Sequence, residues 1–342
     1  MRAQEKPSNH RLLVFGCHEA WVHQLRSIDR SLDVVVDLPG RSTPGWDSSM
    51  RPLPHNARTV QLEDVLAAHE LYDCIIAHNL SDLLDVKSLP GPRLLVIHGT
   101  LGGMILDQHT TTPPDELRRA MAQYVRMVAA HVMAVSHLKA RSWGLHEDVV
   151  LNSANPADYL PFSGDLARGL RVANQIRRKT RTLDWDFHER VFCGLPITLV
   201  GHNDDMPDVY PANDWGDLKQ IFRHHRFFIH TADPSLEDGY NMATLEAMAA
   251  GLPVLGNCHP TSPVRHGVSG FLSDDPQELR TYAWQLLRDR DLAIQMGIAA
   301  RKTVTELFSI ENFKTGITQS IETARAKWRQ SCDRHLVNRA EI

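Results

Sequence analysis

The segment 226–256, RFFIHTADPSLEDGYNMATLEAMAAGLPVLG, constrains the fold of this chain more than any other part of the sequence. The apolar run 227–229 predicts a buried strand, and the polar residues after it predict a loop. From Met242 onward, apolar residues recur at helical spacing until a Gly-x-Pro sequence ends the pattern. The run 252–255 predicts a second strand. A strand, a helix and a second strand in this order are typical of a parallel sheet in an α/β protein.

The loop before the predicted helix carries polar groups that suit a sugar phosphate. Asp238 lies just before the helix and Glu246 lies one turn into it. A carboxylate accepts two hydrogen bonds at once, which suits the vicinal hydroxyls of a ribose or a hexose. The amides of Gly239 and Tyr240 suit a phosphate, as does the helix N-terminus, for which Asn241 supplies an N-cap. We therefore expect a ligand at the carboxyl ends of these strands.

The same segment resembles the signature of the retaining group 1 glycosyltransferases. That signature is an acid, seven residues, and a Glu followed by Ala-Met-Ala-x-Gly-x-Pro-Val. Asp238 and Glu246 have this spacing, and AMAAGLPV at 247–254 completes the pattern. The resemblance is strongest over 226–272 and looser elsewhere. It implies the GT-B fold, an α/β architecture of two Rossmann-like domains whose parallel sheets face a central cleft, and a nucleotide-sugar donor.

The resemblance also implies roles for the acids. Glu246 is expected to hold the donor ribose, and the first acid of the pattern to contact the donor sugar. The family usually has Glu at that first position, whereas this chain has Asp238 preceded by Glu237, so both are candidates. Acidic pairs at this spacing are also common on solvated helix faces, which is the alternative interpretation.

A basic cluster provides candidates for stabilising a leaving group. A strand predicted over 170–176 runs into the sequence RRKTRT. A guanidinium or ammonium group beside a departing diphosphate stabilises its growing charge, and the family places an Arg and a Lys in this region. We select Arg178 and Lys179 as catalytic residues and Arg177 as a substitute, with a solvated basic loop as the alternative. Gly201 follows the next predicted strand, where the family approaches the nucleotide base.

The first half of the chain predicts a second parallel sheet, with apolar strands at 12–15, 34–36, 72–77, 93–97 and 132–135. The family's first loop is rich in glycine and passes the donor phosphates, whereas this chain has only Gly16 there. His98 follows a predicted strand where family members carry a histidine that faces the donor sugar. A neutral imidazole there could hydrogen-bond the sugar or its developing charge, and a structural or exposed histidine is the alternative.

Two further segments suggest contacts with the acceptor or its surroundings. Residues 100–114 contain two glycines and three successive threonines, which predicts a flexible segment that closes over the acceptor. Residues 116–130 predict an amphipathic helix with a basic face. That face suits peripheral contact with an anionic membrane, and a solvated helix face is the alternative.

Length and composition indicate the number of domains and bear on whether the protein binds nucleic acid. With 342 residues and 42% hydrophobic content, we expect two domains with separate cores. We predict an acceptor-side domain at 1–163, a donor domain at 164–310, and a helix at 311–342 that crosses back to the first domain and ends in a tail. The net charge of -4 makes nucleic acid an unlikely general partner, although modified nucleic acid stays open as an acceptor.

Cysteine usage and hydropathy bear on the compartment. The five cysteines are scattered without a C-x-x-C pair, which favours reduced thiols in a cytoplasmic protein and no metal site. No long apolar segment is present, so we expect a cytoplasmic location. The strongest membrane association that we expect is peripheral contact at the inner face. No strand ends in Asp-x-Asp, which favours a metal-independent reaction.

The predicted function is retaining transfer of a sugar from a nucleotide-diphosphate sugar to an acceptor hydroxyl. The resemblance favours a UDP-sugar, with a GDP-sugar possible, and no separate cofactor. The acceptor class stays open among a cell-envelope glycan, a lipid and a small molecule. Two rivals keep the fold: a catalytically weak nucleotide-sugar-binding partner subunit, and a nucleotide-sugar epimerase. The glycine-poor first loop, the Asp at 238 and the altered basic motif favour the first rival.

Overall fold

The computed structural model describes residues 10–38, 45–145 and 148–340, with the side chains of the last helix described as far as Asp333. The chain divides into two compact units. The first unit comprises residues up to 98, 111–151 and 313 onward, and the second comprises 99–110 and 152–312. Each unit is built around one sheet of parallel strands.

The sheet of the first unit has the strand order β3-β2-β1-β4-β5-β6, and all of its neighbours are parallel. Its strands are β1 (Arg11–Phe15), β2 (Ser31–Val36), β3 (Ala57–Gln61), β4 (Cys74–Ala77), β5 (Arg93–Ile97) and β6 (His131–Ala134). The five strands predicted from apolar runs are confirmed, with shifts at their ends. β3 was not predicted, because it is an edge strand with mostly exposed side chains and no apolar run.

The sheet of the second unit has the order β11-β10-β9-β7-β8 and is also parallel. Its strands are β7 (Leu166–Val172), β8 (Ile197–Val200), β9 (His225–Ile229), β10 (Val254–Gly256) and β11 (Gly270–Leu272). β9 and β10 are buried along their whole length, as parallel strands covered on both faces must be. The predicted pair of parallel α/β sheets is therefore confirmed.

Helices cover both sheets. In chain order they are α1 (Glu19–Val22), α2 (Leu62–Ala68), α3 (Leu80–Asp85), α4 (Leu101–Asp107), α5 (Pro114–Met127), α6 (His137–Ser142), α7 (Trp185–Phe192), α8 (Trp215–His224), α9 (Met242–Ala250), α10 (Pro276–Arg288), α11 (Arg290–Leu307) and α12 (Ile310–Ala340), with short 3-10 turns at His23–Ser27 and Pro156–Asp158. Within the part of the chain that the structure describes, every helix is too short or too polar to span a membrane.

The prediction of a flexible segment at 100–114 is wrong, because residues 101–107 form α4. Thr100 caps this helix by accepting a hydrogen bond from the Gly103 amide at 3.0 Å. The Thr100 hydroxyl donates to the carbonyl of Leu236, so the segment packs within the second unit. The two glycines lie against Leu236, and they therefore provide close packing rather than flexibility.

The segment 152–163 also packs within the second unit. The ring of Tyr159 meets the rings of Trp215 and Phe222 edge-on, with centroids 6.4 and 6.2 Å apart. The carbonyl of Arg223 accepts hydrogen bonds from the amides of Ser163 and Gly164, both at 3.0 Å. At the other end of the chain, α12 packs within the first unit from Phe313 onward, where the Phe313 ring lies 5.8 Å from Trp21.

Candidate active site

The carboxyl ends of β7, β8, β9 and β10 lie at one edge of the second sheet, because these strands are parallel neighbours. The loops that follow them carry most of the residues selected from sequence. The basic loop, residues 173–184, follows β7, and Gly201 follows β8. The signature loop, residues 230–241, follows β9 and leads into α9. The structure therefore brings the predicted basic, glycine and acidic residues of this unit to a single edge.

Helix α9 begins with a capping box. The Asn241 side chain accepts from the Thr244 amide at 2.9 Å, and the Thr244 hydroxyl accepts from the Asn241 amide at 3.3 Å. This confirms Asn241 as the N-cap. The helix is otherwise apolar all round and buried, and Glu246 is the one charged residue within it.

The two acids of the pattern are both buried. Asp238 is 1% exposed and Glu246 is 4% exposed. Burying a carboxylate costs free energy, because its hydration must be replaced by polar partners. The interpretation of this pair as a solvated helix face is therefore wrong, and a binding role gains support.

The structure distinguishes the two adjacent acids, Glu237 and Asp238. The Glu237 carboxylate turns back and accepts a hydrogen bond from the Asp238 amide at 2.8 Å. Glu237 is half-buried, whereas Asp238 is buried. Glu237 therefore stabilises the loop backbone at Asp238, and the choice between the two acids as the sugar-binding residue stays a prediction.

Gly239 and Tyr240 have different constraints. A Cβ atom at Gly239 would lie 2.7 Å from the ring of His259, so only glycine fits there without a shift. The ring of Tyr240 packs against Phe308 with centroids 5.1 Å apart. The Tyr240 side chain is thus part of the core, and phosphate binding by the two backbone amides stays a prediction.

Sequence reasoning missed three residues that contact the signature loop. A ring nitrogen of His230 lies 3.1 Å from the Asp238 carbonyl oxygen, and one of His259 lies 3.0 Å from the Glu237 carbonyl oxygen. Thr261 accepts a hydrogen bond from the Gly239 amide at 2.8 Å. The available signal was position, since His230 directly follows β9 and the other two follow β10.

The basic loop differs from its prediction in one respect. β7 ends at Val172 rather than at residue 176, because Gln175 adopts φ 55° and starts a turn. Arg177 donates to the Asp205 carbonyl at 2.8 Å, which fixes its guanidinium against the neighbouring loop. Arg178 is exposed and Lys179 is half-buried. The roles of these three residues stay predictions.

Arg171 joins the basic loop to the signature loop. Its buried guanidinium donates to the Thr231 hydroxyl at 2.8 Å and to the Leu183 carbonyl at 2.9 Å. The Thr231 hydroxyl donates in turn to the Leu183 carbonyl at 2.7 Å. Burial lowers the pKa of Arg171 to about 10, which leaves it charged at neutral pH. Arg171 thus holds the two candidate ligand-binding loops in a fixed arrangement.

Gly201 has the backbone conformation that favours glycine, with φ 141°. A Cβ atom there would lie 2.2 Å from the Ala173 carbonyl oxygen. Nearby, the Asn174 side chain accepts from the His202 amide at 2.9 Å and joins the loops after β7 and β8. The glycine is explained by this close packing, and its approach to a nucleotide base stays a prediction.

In the first unit, Gly16 and His98 lie at the carboxyl edge of the sheet, after β1 and β5. The Gly16 amide donates to the Val35 carbonyl at 2.8 Å, and a Cβ atom at Gly16 would lie 2.7 Å from that oxygen. The close contact between β1 and β2 therefore explains why residue 16 is a glycine. The approach of Gly16 to donor phosphates stays a prediction.

His98 belongs to a cluster of three histidines. Its Nε2 atom lies 2.8 Å from Nδ1 of His78, and its ring stacks on His18 with centroids 4.0 Å apart. Burial lowers the pKa of His98 well below its ordinary value of 6.5. The nearby His18, His78 and Lys139 lower this pKa further. His98 is therefore a neutral imidazole at neutral pH.

Burial also lowers the pKa of His78 well below 6.5, and the carbonyl of Phe15 acts in the opposite direction. One of the two facing nitrogens, Nε2 of His98 or Nδ1 of His78, carries a proton and donates to the other.

Comparison with known proteins gives a family match within the second unit. Residues 194–289 match the family model described as "Glycosyl transferases group 1". A segment of 81 residues is 36% identical to N-acetyl-alpha-D-glucosaminyl L-malate synthase of Bacillus anthracis, covering 22% of this chain and 21% of that protein. A segment of 166 residues is 26% identical to the human alpha-1,3/1,6-mannosyltransferase ALG2, covering 44% of this chain and 40% of that protein. Both segments span well under two thirds of these curated relatives.

Among solved structures, HepE from Anabaena in complex with UDP and glucose is similar to 92% of this chain and to 100% of its own, with a TM-score of 0.65 and 15% identity. At this identity the likeness concerns the fold. The two parallel α/β units thus define the chain as a GT-B protein. Residues 194–289, which include the signature at 238–254, are similar to the group 1 glycosyltransferases.

Proposed function

We propose that the protein is a retaining glycosyltransferase that transfers a sugar from a nucleotide-diphosphate sugar, a UDP-sugar by preference, to an acceptor hydroxyl. The observation that carries this proposal is the burial of Asp238 and Glu246 on either side of the capped N-terminus of α9. Two buried carboxylates beside a helix N-terminus combine acceptors for sugar hydroxyls with donors for a phosphate.

The acids take separate roles. Glu246 accepts hydrogen bonds from the two ribose hydroxyls, which explains a single charge within an apolar helix. Asp238 accepts from hydroxyls of the donor sugar and positions it, rather than attacking it. Glu237 supports Asp238 through the contact of its carboxylate with the Asp238 amide. The N-terminus of α9 binds the diphosphate.

Arg178 and Lys179 stabilise the charge that grows on the diphosphate as the glycosidic bond breaks. Arg177 is held by the Asp205 carbonyl, which makes it the weaker candidate. Cations in this role replace a divalent ion, so the proposed reaction is metal-independent. Attack from the front face, with the departing phosphate oxygen taking the acceptor proton, gives retention without a protein nucleophile.

His98 serves the reaction as a neutral imidazole, which can hydrogen-bond a sugar hydroxyl or the developing charge. Its stacking on His18 and its contact with His78 hold the ring in place.

The names of the relatives support the donor and leave the acceptor class open. HepE has been solved with UDP-glucose as well as with UDP and glucose, which supports a UDP-sugar donor here, with a GDP-sugar as the alternative. A cell-envelope glycan, a lipid and a small molecule all fit the proposal. Helix α5 is basic, with only Met121 buried and Met127 72% exposed, which is compatible with peripheral membrane contact. The five cysteines form no disulfide, which supports a cytoplasmic location.

A turnover measurement tests the proposal. Wild-type protein is incubated with UDP-, GDP- and ADP-sugars carrying a labelled sugar, with and without candidate acceptors. We expect release of UDP and transfer of the label when an acceptor is present. Affinity without turnover would instead identify a nucleotide-sugar-binding partner subunit. Conversion of the donor sugar with no acceptor would identify an epimerase.

A further inference from the structure

Two histidines from different strands hold successive carbonyls of the signature loop. A ring nitrogen of His230 faces the Asp238 carbonyl at 3.1 Å, and Nε2 of His259 faces the Glu237 carbonyl at 3.0 Å. A carbonyl oxygen can only accept, so both ring nitrogens carry protons and donate. The backbone that carries Asp238 is therefore fixed by donors from the ends of β9 and β10.

The tautomer of His259 closes a circuit of hydrogen bonds around Asp238. With the proton on Nε2, Nδ1 carries a lone pair and accepts from the amide and the hydroxyl of Thr261, both at 3.1 Å. The Thr261 hydroxyl oxygen accepts in turn from the Gly239 amide at 2.8 Å. The circuit thus joins the carbonyl of residue 237 to the amide of residue 239, on either side of Asp238.

Packing reinforces this circuit. The His259 ring lies so close to Gly239 that a Cβ atom there would be 2.7 Å from the ring atoms Cγ and Nδ1. His259 itself is 7% exposed. The ring therefore limits the movement of the loop by contact as well as by hydrogen bonding.

We propose that His259, acting through Thr261, is a positioning residue that holds Asp238 and the backbone leading into α9 in the geometry required for donor binding, and that it does so best as a neutral imidazole. The proposal rests on the proposed function and deepens it. Protonation at Nδ1 would set a donor against the Thr261 amide, while the Thr261 hydroxyl could rotate to accept, so the circuit would weaken. Donor affinity, including that for UDP, whose diphosphate is proposed to lie where α9 begins, should therefore fall as the pH is lowered.

Burial and the charges around His259 determine the pH range in which donor affinity is expected to fall. Burial lowers the pKa of His259 below its ordinary value of 6.5, whereas the Glu237 carbonyl and the carboxylates of Asp238, Glu237 and Asp233 act in the opposite direction. Burial has the larger influence, so the neutral form dominates above pH 6.5 and the circuit is complete there. The loss of affinity is expected at pH values below 6.5.

The test compares His259→Phe, which keeps a ring but removes both nitrogens, with the control His266→Phe. His266 lies on the same segment, and its Nδ1 meets the Leu272 carbonyl at 2.9 Å, away from the signature loop. Hydrogen exchange of the Gly239 amide is measured at pH 7.5, and affinity for UDP is measured by calorimetry at pH 7.5 and 5.5. GDP serves as a second probe, and thermal unfolding checks that each variant is folded.

We expect about fivefold faster exchange at Gly239 and about fivefold weaker UDP binding in His259→Phe, the scale of one lost hydrogen bond. Affinity should fall between pH 7.5 and 5.5 in the wild type and in His266→Phe, and less so in His259→Phe. If His259→Phe fails to fold, Thr261→Val removes the middle member of the circuit and should give the same exchange result.

The two possible failures are distinguishable. Unchanged Gly239 exchange in a folded His259→Phe or Thr261→Val variant overturns the circuit, even if the wild type binds UDP. Faster exchange with unchanged UDP affinity overturns the positioning role. Absence of UDP and GDP binding by the wild type overturns the proposed function, and the donor role of His259 with it.

Discussion

Asp238 and Glu246 are carboxylates in surroundings where a carboxylate is costly. Glu246 is the only charged side chain in a helix that is buried along most of its length. A buried carboxylate keeps its charge only where polar groups replace its hydration. In the proposed site, ribose hydroxyls join these groups, because each can donate a hydrogen bond to a carboxylate oxygen.

The Glu246→Gln variant tests this role while preserving side-chain shape. We expect weaker UDP binding by about 1–3 kcal/mol, the scale for a hydrogen bond to a charged group. Calorimetry provides the measurement. Glu189→Gln, at an exposed position on α7 in the same unit, is the control and should bind as the wild type does. Equal affinities for both variants would remove Glu246 from the ribose site.

Substitution of Lys179 or Arg178 by Met separates leaving-group stabilisation from binding. A cation that acts mainly on the departing diphosphate should lower kcat more than it changes donor affinity. Steady-state kinetics with the donor identified by turnover, together with equilibrium binding, gives both quantities. Lys302→Met, on the exposed face of α11, serves as the control. An unchanged kcat would exclude the substituted residue from the chemistry.

The charge state of His98 can be measured without any substrate. Burial lowers its pKa well below 6.5, so the neutral form is expected throughout the range from neutral pH down to 6.5, and protonation only well below that value. Histidine ring resonances followed by NMR against pH report this directly, with His98→Gln used for assignment. A midpoint at or above 6.5 would contradict the neutral state proposed for His98.

Sequence alone predicted the two acids but not the residues that hold the loop around them. The spacing of Asp238 and Glu246 and the AMAAGLPV sequence after Glu246 could be recognised as a pattern. The circuit through His259 joins residues 22 positions apart by contacts that depend on how β9 and β10 pair. No spacing rule encodes such contacts, and 19 histidines gave too many candidates.

Elements with strong apolar periodicity were predicted well. The buried strands and α9 lie close to their predicted positions, because burial imposes an apolar pattern on the sequence. The misses have physical reasons. β3 is an exposed edge strand, and α4 is a short helix whose glycines and capping threonine resemble a loop sequence. β7 ends early because Gln175 adopts a turn conformation that composition does not reveal.

The loops at the edge of the second sheet depend on Arg171 for their arrangement. Arg171→Met removes the charged donors to the Leu183 carbonyl and the Thr231 hydroxyl, which then keep only the hydrogen bond between them. We expect the free energy of unfolding to fall by about 3 kcal/mol. Urea denaturation measures it. Arg168→Met, an exposed arginine on the same strand, should cost less than about 1 kcal/mol. Comparable losses in the two variants would contradict a special role for Arg171.

At the scale of the whole molecule, two parallel α/β units were predictable because two series of apolar strands occur along the chain. Which residues belong to each unit was harder to predict from the sequence. Residues 99–110 pack with the second unit although they follow β5 of the first, and α12 packs with the first unit from Phe313 onward. These assignments depend on contacts between residues far apart in sequence, such as Thr100 with Leu236.

The family resemblance and the proposed reaction rest on different observations. Residues 194–289 match the group 1 glycosyltransferases, and the solved structures show the GT-B fold. The donor, the acceptor and the stereochemical course are proposals argued from the chemistry of the second unit's edge. These proposals share one requirement, which is that a nucleotide binds where α9 begins.

A crystal structure of the protein with UDP tests this requirement most directly. We predict that the ribose hydroxyls lie within hydrogen-bond distance of the Glu246 carboxylate and that the diphosphate lies at the N-terminus of α9. UDP bound elsewhere in the molecule, or bound with Glu246 making no contact to the ribose, would contradict the proposed site.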